Sequence, residues 1–95
     1  MTKPSQASIR DSYEEVKYLS GPHYTTHPLR QATVASLMGL EPPDPQRCRV
    51  LEIGCATGGN LLPMALLAPE SEFVGFDLSP SQIEMGLETI AAVGL

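Results

Sequence analysis

Residues 50–60 have the sequence VLEIGCATGGN, in which a short apolar run ends at a glycine and a series of small residues follows. The apolar run contains β-branched residues, so we predict a buried strand over residues 49–53 that ends at Gly54. The glycines allow the backbone to turn sharply and to approach a ligand closely. A helix that opens at Gly59 or Asn60 adds unpaired amide groups and the positive end of its dipole. The stretch therefore predicts a strand, a ligand-binding turn and a helix, in that order.

A second unit of the same kind follows along the chain. A helix is predicted over residues 61–68, and a second strand over residues 73–76 stops at Asp77, about 20 residues after the glycine turn. From Ser79 to Gln82 the sequence has the pattern of a capping box, which predicts another helix and a glutamine side chain that reaches back to its start. Strands that alternate with helices favour right-handed crossovers. We therefore predict an α/β fold in which helices flank a parallel sheet.

The chain divides into two parts at about the middle. Residues 1–47 are predicted to form an N-terminal arm and a helix that pack on the domain, and residues 48–95 to form the first half of the domain itself. The arm carries Tyr13 and Tyr18, which we interpret as packing residues, although a tyrosine of the arm can also close over a bound ligand.

The helix of the N-terminal part has recognisable ends. Thr26 is predicted to be its N-cap, with Pro28 in the first turn, where a missing amide costs little. Gly39 is predicted to end the helix in the left-handed conformation. The three prolines of residues 41–45 then require an extended connection.

Composition limits the classes of protein to which the chain can belong. Its 95 residues allow one small domain, and 42% hydrophobic with 18% charged residues argues against disorder and fibrous structure. No apolar run approaches the length of a membrane span, and no export signal is visible, so we expect a cytoplasmic protein. The two cysteines and two histidines lack the spacing of a metal site or a disulfide framework.

The distribution of charge bears on possible partners. The net charge is −5, and all six lysines and arginines lie within the first 49 residues. The remainder of the chain carries acidic residues alone among its charged side chains and would repel a phosphate backbone. We therefore expect no nucleic-acid partner.

Two motifs resemble those of class I S-adenosylmethionine-dependent methyltransferases. Residues 52–58, EIGCATG, resemble the first motif, an acid followed by G-x-G-x-G, and residues 76–79, FDLS, resemble the motif at the end of the second strand. The resemblance implies a Rossmann-like fold with S-adenosyl-L-methionine as a small-molecule cofactor. The arm also resembles that of bacterial methyltransferases with a separate regulatory domain.

The resemblance also assigns roles to individual residues. In that family the glycine turn wraps the methionine part of the cofactor, and the acid after the second strand holds the ribose. Asp77 would therefore hold the ribose, Leu78 would lie against the adenine, and Glu52 would orient the turn or reach the amino group. The residues implied for the methionine part are Gly54, Cys55, Ala56 and Gly58. Neither catalytic residues nor the methyl acceptor can be identified from the sequence.

A complete class I domain has about seven strands by resemblance, so residues 48–95 would be a truncated form that supplies the first two. We expect an unpaired edge on the first strand, with possible self-association through it. The segment alone is expected to be catalytically inactive.

One residue departs from the motif, and other functions are compatible with it. Ala56 stands at the middle glycine position, which limits how closely a cofactor approaches. Gly54, Ala56 and Gly59 also fit the G-x-A-x-x-G pattern of a nicotinamide-dinucleotide site, but Glu52 argues against a pyrophosphate there. The remaining alternatives are a cofactor-binding or regulatory module without chemistry, and a structural turn without a ligand.

Overall fold

The computed structural model describes residues 5–15 and 21–95. Its helices and strands alternate as predicted, and the prediction of an α/β fold with a parallel sheet is confirmed. Tyr18 and the side chain of Tyr13 lie outside the described residues. The elements are α1 (Gln6–Glu15), a 3₁₀ turn (Tyr24–Thr26), α2 (Pro28–Leu37), β1 (Arg49–Ile53), α3 (Leu61–Leu67), β2 (Glu72–Phe76) and α4 (Pro80–Val93).

The two strands lie parallel, with α3 connecting them. Their register pairs Arg49 with Glu72 at one end and Ile53 with Phe76 at the other. Because parallel strands end at the same edge of a sheet, the residues that follow β1 and β2 meet there. This edge carries both motifs of the sequence.

The two faces of the sheet have different surroundings. Gly75 of β2 faces Leu61 of α3, which is buried together with Met64. The opposite face is apolar and uncovered in the described part of the chain, with side chains exposed by 50–73%. That bare face consists of Leu51, Ile53, Val74 and Phe76. The prediction that residues 49–53 form a buried strand is therefore wrong, because no residue of β1 is buried by the described part of the chain.

The ends of the helices show which local signals decide the fold. Gly39 takes the left-handed conformation after α2, with φ of +84°, so the predicted glycine cap is confirmed, and Gly94 ends α4 in the same way, with φ of +76°. The prediction of Thr26 as an N-cap is wrong. Residues 24–26 form a 3₁₀ turn, and His27 caps α2 because its Nδ1 accepts the Leu29 amide at 3.1 Å.

No helix in residues 5–15 or 21–95 has the length and apolar character needed to cross a membrane.

Candidate functional site

The turn after β1 is built from residues in the left-handed conformation at alternate positions. Gly54, Ala56 and Gly58 have φ of +75°, +51° and +83°. The carbonyl oxygen of Phe76, the last residue of β2, accepts hydrogen bonds from the amides of Gly54 at 2.8 Å and Cys55 at 3.0 Å. The turn is thereby fastened to the end of the neighbouring strand.

Ala56 is the one non-glycine residue with positive φ in the described part of the chain. This conformation costs an L-residue about 1–2 kcal/mol, and Ala56 is nonetheless 4% exposed and buried in the turn. Its amide donates to Oδ2 of Asp77 at 2.9 Å, a contact that helps to hold the strained backbone in place. The sequence motif predicted a tight turn at this position, and the alanine adopts the conformation that glycine would take more easily.

Asp77 connects the turn to the start of α4. Its Oδ2 accepts the Ala56 amide and its Oδ1 accepts the Ser79 amide, both at 2.9 Å. A carboxylate has about four lone-pair sites, so each oxygen retains the capacity to accept a further hydrogen bond. The carboxylate is therefore held in one orientation while acceptor sites remain for a ligand.

A cavity of about 520 Å³ lies where the two motifs meet. It brings together four of the predicted site residues, Gly54, Ala56, Asp77 and Leu78. Its volume lies within the roughly 300–1,000 Å³ typical of small-molecule sites. The complete lining is Ile53, Gly54, Ala56, Phe76, Asp77, Leu78 and Gln82.

Cys55 and Gly58 line a different cavity, of about 680 Å³, between α3, β2 and α4. The Cys55 side chain is buried and packs so closely over Gly75 that a Cβ there would lie 2.8 Å from its sulfur. Burial, together with the negative charges of Asp77 and Glu52, raises the pKa of the Cys55 thiol. A protonated, enclosed thiol fills space and is a poor nucleophile.

Glu52 contacts a buried asparagine that the sequence identified only as a possible helix start. Nδ2 of Asn60 donates to Oε2 of Glu52 at 2.6 Å and to Oγ1 of Thr26 at 3.0 Å. Oδ1 of Asn60 accepts the His23 amide at 2.7 Å. The N-terminal segment is thus fastened to the end of β1, and no local pattern predicts this because 34 and 37 residues separate the partners.

Gln82 is the second residue whose position the sequence did not predict. Ser79 caps α4 as expected, and its Oγ accepts the Gln82 amide at 3.4 Å. The Ser79 amide, however, donates to Asp77, so the predicted return contact from Gln82 is replaced. The Gln82 side chain is 2% exposed, and its Nε2 has no hydrogen-bond partner among residues 5–15 and 21–95.

The described residues contain no group of three His, Cys, Asp or Glu side chains arranged to hold a metal ion.

Comparisons with known proteins agree with this geometry. The sequence profile of a family described as a methyltransferase domain matches residues 45–94. An uncharacterized protein of Rickettsia prowazekii, RP789, is 45% identical over 83 residues, which are 87% of this chain and 15% of that protein. O-methyltransferase 3 of Dictyostelium discoideum is 35% identical over 57 residues, 60% of this chain and 13% of that one.

A solved structure shows the same arrangement of the chain. PKMT2 from Rickettsia typhi, in complex with AdoHcy, matches with a TM-score of 0.76 and 40% identity over 81% of this chain and 15% of that one. This chain therefore spans a minor part of the relatives that it matches. From its motifs, its fold and the family profile together, it belongs to the S-adenosylmethionine-dependent methyltransferase domain family.

Proposed function

We propose that this chain forms the cofactor-binding part of an S-adenosylmethionine-dependent methyltransferase. The observation that carries the proposal is the 2.9 Å hydrogen bond between the Ala56 amide and Asp77, because it joins the glycine turn to the acid and both residues line one cavity. The AdoHcy in the complex of the Rickettsia typhi relative supports the same ligand class here.

The residues around the cavity fit a nucleoside joined to an amino acid. The open acceptor sites of Asp77 suit the two hydroxyls of a ribose, and Leu78 offers an apolar surface to adenine. The turn that contains Gly54, Cys55, Ala56 and Gly58 would surround the methionine part. Glu52, with one oxygen on Asn60, keeps a second oxygen to orient the turn or to accept from the amino group.

The contribution of this chain to catalysis is binding and orientation. When bound, S-adenosylmethionine supplies an electrophilic methyl group on a positively charged sulfur. Acidic residues near the turn favour a positively charged ligand, and the fixed Asp77 carboxylate holds the ribose in one position. The acceptor is bound elsewhere in our proposal, so the chain alone should transfer no methyl group to any acceptor.

Calorimetric titration with S-adenosylhomocysteine tests the proposal. Asp77→Ala should weaken binding about 100-fold, since a charged hydrogen bond contributes about 1.5–3 kcal/mol and the variant also frees the turn. Asp77→Asn should lie between Asp77→Ala and the wild type because one acceptor remains. Glu88→Ala removes the same charge from an exposed position of α4 and should leave the affinity unchanged.

Other outcomes of the titration would favour other functions. Tighter binding of a nicotinamide dinucleotide than of S-adenosylhomocysteine would contradict the proposal and support a dinucleotide site. If the wild type and Asp77→Ala bind S-adenosylhomocysteine equally well, Asp77 does not contact the ligand. If the wild type binds neither ligand, the turn after β1 has a structural role alone.

We further propose that residues 1–47 cover the domain half formed by residues 48–95, with the Asn60 contacts to Thr26 and His23 in support. The bare apolar face of the sheet supports self-association of the isolated chain. Sedimentation over a range of concentrations should show dimers or larger species. Two free cysteines, Cys48 and Cys55, are compatible with a cytoplasmic location, which cell fractionation would test.

A further inference from the structure

We propose that the side-chain amide of Gln82 is a cofactor-binding group that donates a hydrogen bond to a ribose hydroxyl oxygen of the ligand. The inference rests on the proposed function and adds a residue to its site. Neither the sequence motif nor the capping box assigns this role to Gln82.

The first argument is the cost of the buried donor. Gln82 is 2% exposed, and its Nε2 lacks a partner among the described residues. Buried polar groups in native proteins are almost always paired, because a buried donor without an acceptor destabilises the fold. A donor that is kept at such a cost indicates a partner that arrives with a ligand.

The second argument is the location of the side chain. Gln82 lines the same cavity of about 520 Å³ as Asp77 and Leu78, the residues proposed for the ribose and the adenine. Its backbone amide is held by Oγ of Ser79 at 3.4 Å, so the start of α4 fixes where the side chain begins. The Nε2 donor of Gln82 has no partner among the described residues and is therefore available to a ligand.

The third argument is chemical complementarity. A ribose hydroxyl has one donor hydrogen and two acceptor lone pairs. Asp77 is an acceptor and takes the hydrogens, so the hydroxyl oxygens still need a donor. A carboxamide N–H that lines the same cavity supplies that donor.

Two variants and one control test the proposal in the 95-residue chain. Gln82→Met and Gln82→Leu remove the donor and introduce an apolar side chain of similar size. Gln31→Met makes the same chemical change on the exposed surface of α2. Each protein is unfolded with urea without ligand and then titrated with S-adenosylhomocysteine and with its 2′,3′-dideoxy analogue.

The expected result is a change of opposite sign in stability and in affinity. Without ligand, Gln82→Met should unfold at the same or a higher urea concentration than the wild type, because an unpaired donor has been removed. Its affinity for S-adenosylhomocysteine should fall about tenfold. For the dideoxy analogue, wild type and variant should bind within about twofold of one another, and Gln31→Met should resemble the wild type throughout.

Three results would overturn the proposal. Unchanged affinity of both Gln82 variants for S-adenosylhomocysteine would show that the amide does not contact the ligand, while the proposed function would stand. An equal loss for both ligands, or a loss explained by a lower unfolding midpoint, would make Gln82 a structural residue. A wild-type chain that binds neither ligand would contradict the proposed function itself.

Discussion

Replacement of Ala56 by glycine measures the strain stored in the turn of the site. Ala56 has φ of +51°, a conformation that costs an L-residue about 1–2 kcal/mol and costs glycine little. Relief of this strain would stabilise the glycine variant, but two effects oppose it. The greater freedom of glycine in the unfolded chain costs about 0.5–1 kcal/mol, and the loss of the buried methyl group costs up to about 0.8 kcal/mol. The opposing contributions nearly cancel, so Ala56→Gly should change the free energy of unfolding by less than about 0.5 kcal/mol.

The informative quantity is the comparison with a second alanine. Ala65→Gly, within α3, brings the same flexibility and loses a partly buried methyl group, but it relieves no strain. It should lower the free energy of unfolding by about 1 kcal/mol or more. The two variants should therefore differ by about 1–2 kcal/mol, the energy of the left-handed alanine.

Urea denaturation followed by circular dichroism gives both values under one set of conditions. Equal destabilisation by Ala56→Gly and Ala65→Gly would refute the reasoning, since it would mean that the turn stores no strain at Ala56. The same Ala56→Gly protein should bind S-adenosylhomocysteine a few-fold more tightly, because removal of the Cβ lets the ligand approach the backbone.

Three further predictions concern packing, attachment of the N-terminal segment and thiol chemistry. Gly86→Ala should lower the free energy of unfolding by about 1–3 kcal/mol, because its Cβ would lie 2.9 Å from a backbone carbonyl oxygen of the turn. Gly21→Ala should leave the free energy of unfolding unchanged, because the space around Gly21 is open, and urea denaturation compares the two variants. Asn60→Ala removes three hydrogen bonds and should expose residues 21–27 to proteolysis, whereas uncleaved protein would contradict the attachment. Iodoacetamide should modify Cys48 before Cys55, whose pKa is raised. Because the folded state holds that proton more tightly, the contribution of Cys55 to stability should be constant at neutral pH and should fall as the pH rises above about 8.5. Mass spectrometry and a pH series of urea denaturation check these expectations.

Local sequence signals predicted the parts of the fold that depend on neighbouring residues. The strand that ends at Gly54 and the acid at Asp77 follow from short patterns whose geometry leaves few alternatives. The glycine caps of α2 and α4 are local in the same way. Gly54 and Asp77 lie at one edge of the sheet because parallel strands end together. The sequence could therefore predict that the turn and the acid of the candidate site meet.

The remaining parts depend on contacts between distant segments. Thr26 has the composition of an N-cap, but its hydroxyl donates to the His23 carbonyl and accepts from Asn60, and His27 takes the capping position. Gln82 fits a capping box, but the Ser79 amide donates its hydrogen bond to the carboxylate of Asp77 instead. The side chains of Gln82 and Asp77 are both possible acceptors for the Ser79 amide, and they belong to different motifs. The sequence pattern alone does not show which of the two accepts the hydrogen bond.

The two amide contacts of Asp77 have a consequence for the kinetics of binding. A side chain that already sits in a single rotamer loses no further rotational freedom when it meets a sugar, so the encounter need not wait for a search of conformations. Association with this edge of the sheet should approach the speed set by diffusion and orientation, and differences among nucleoside ligands should appear mainly in how quickly they leave.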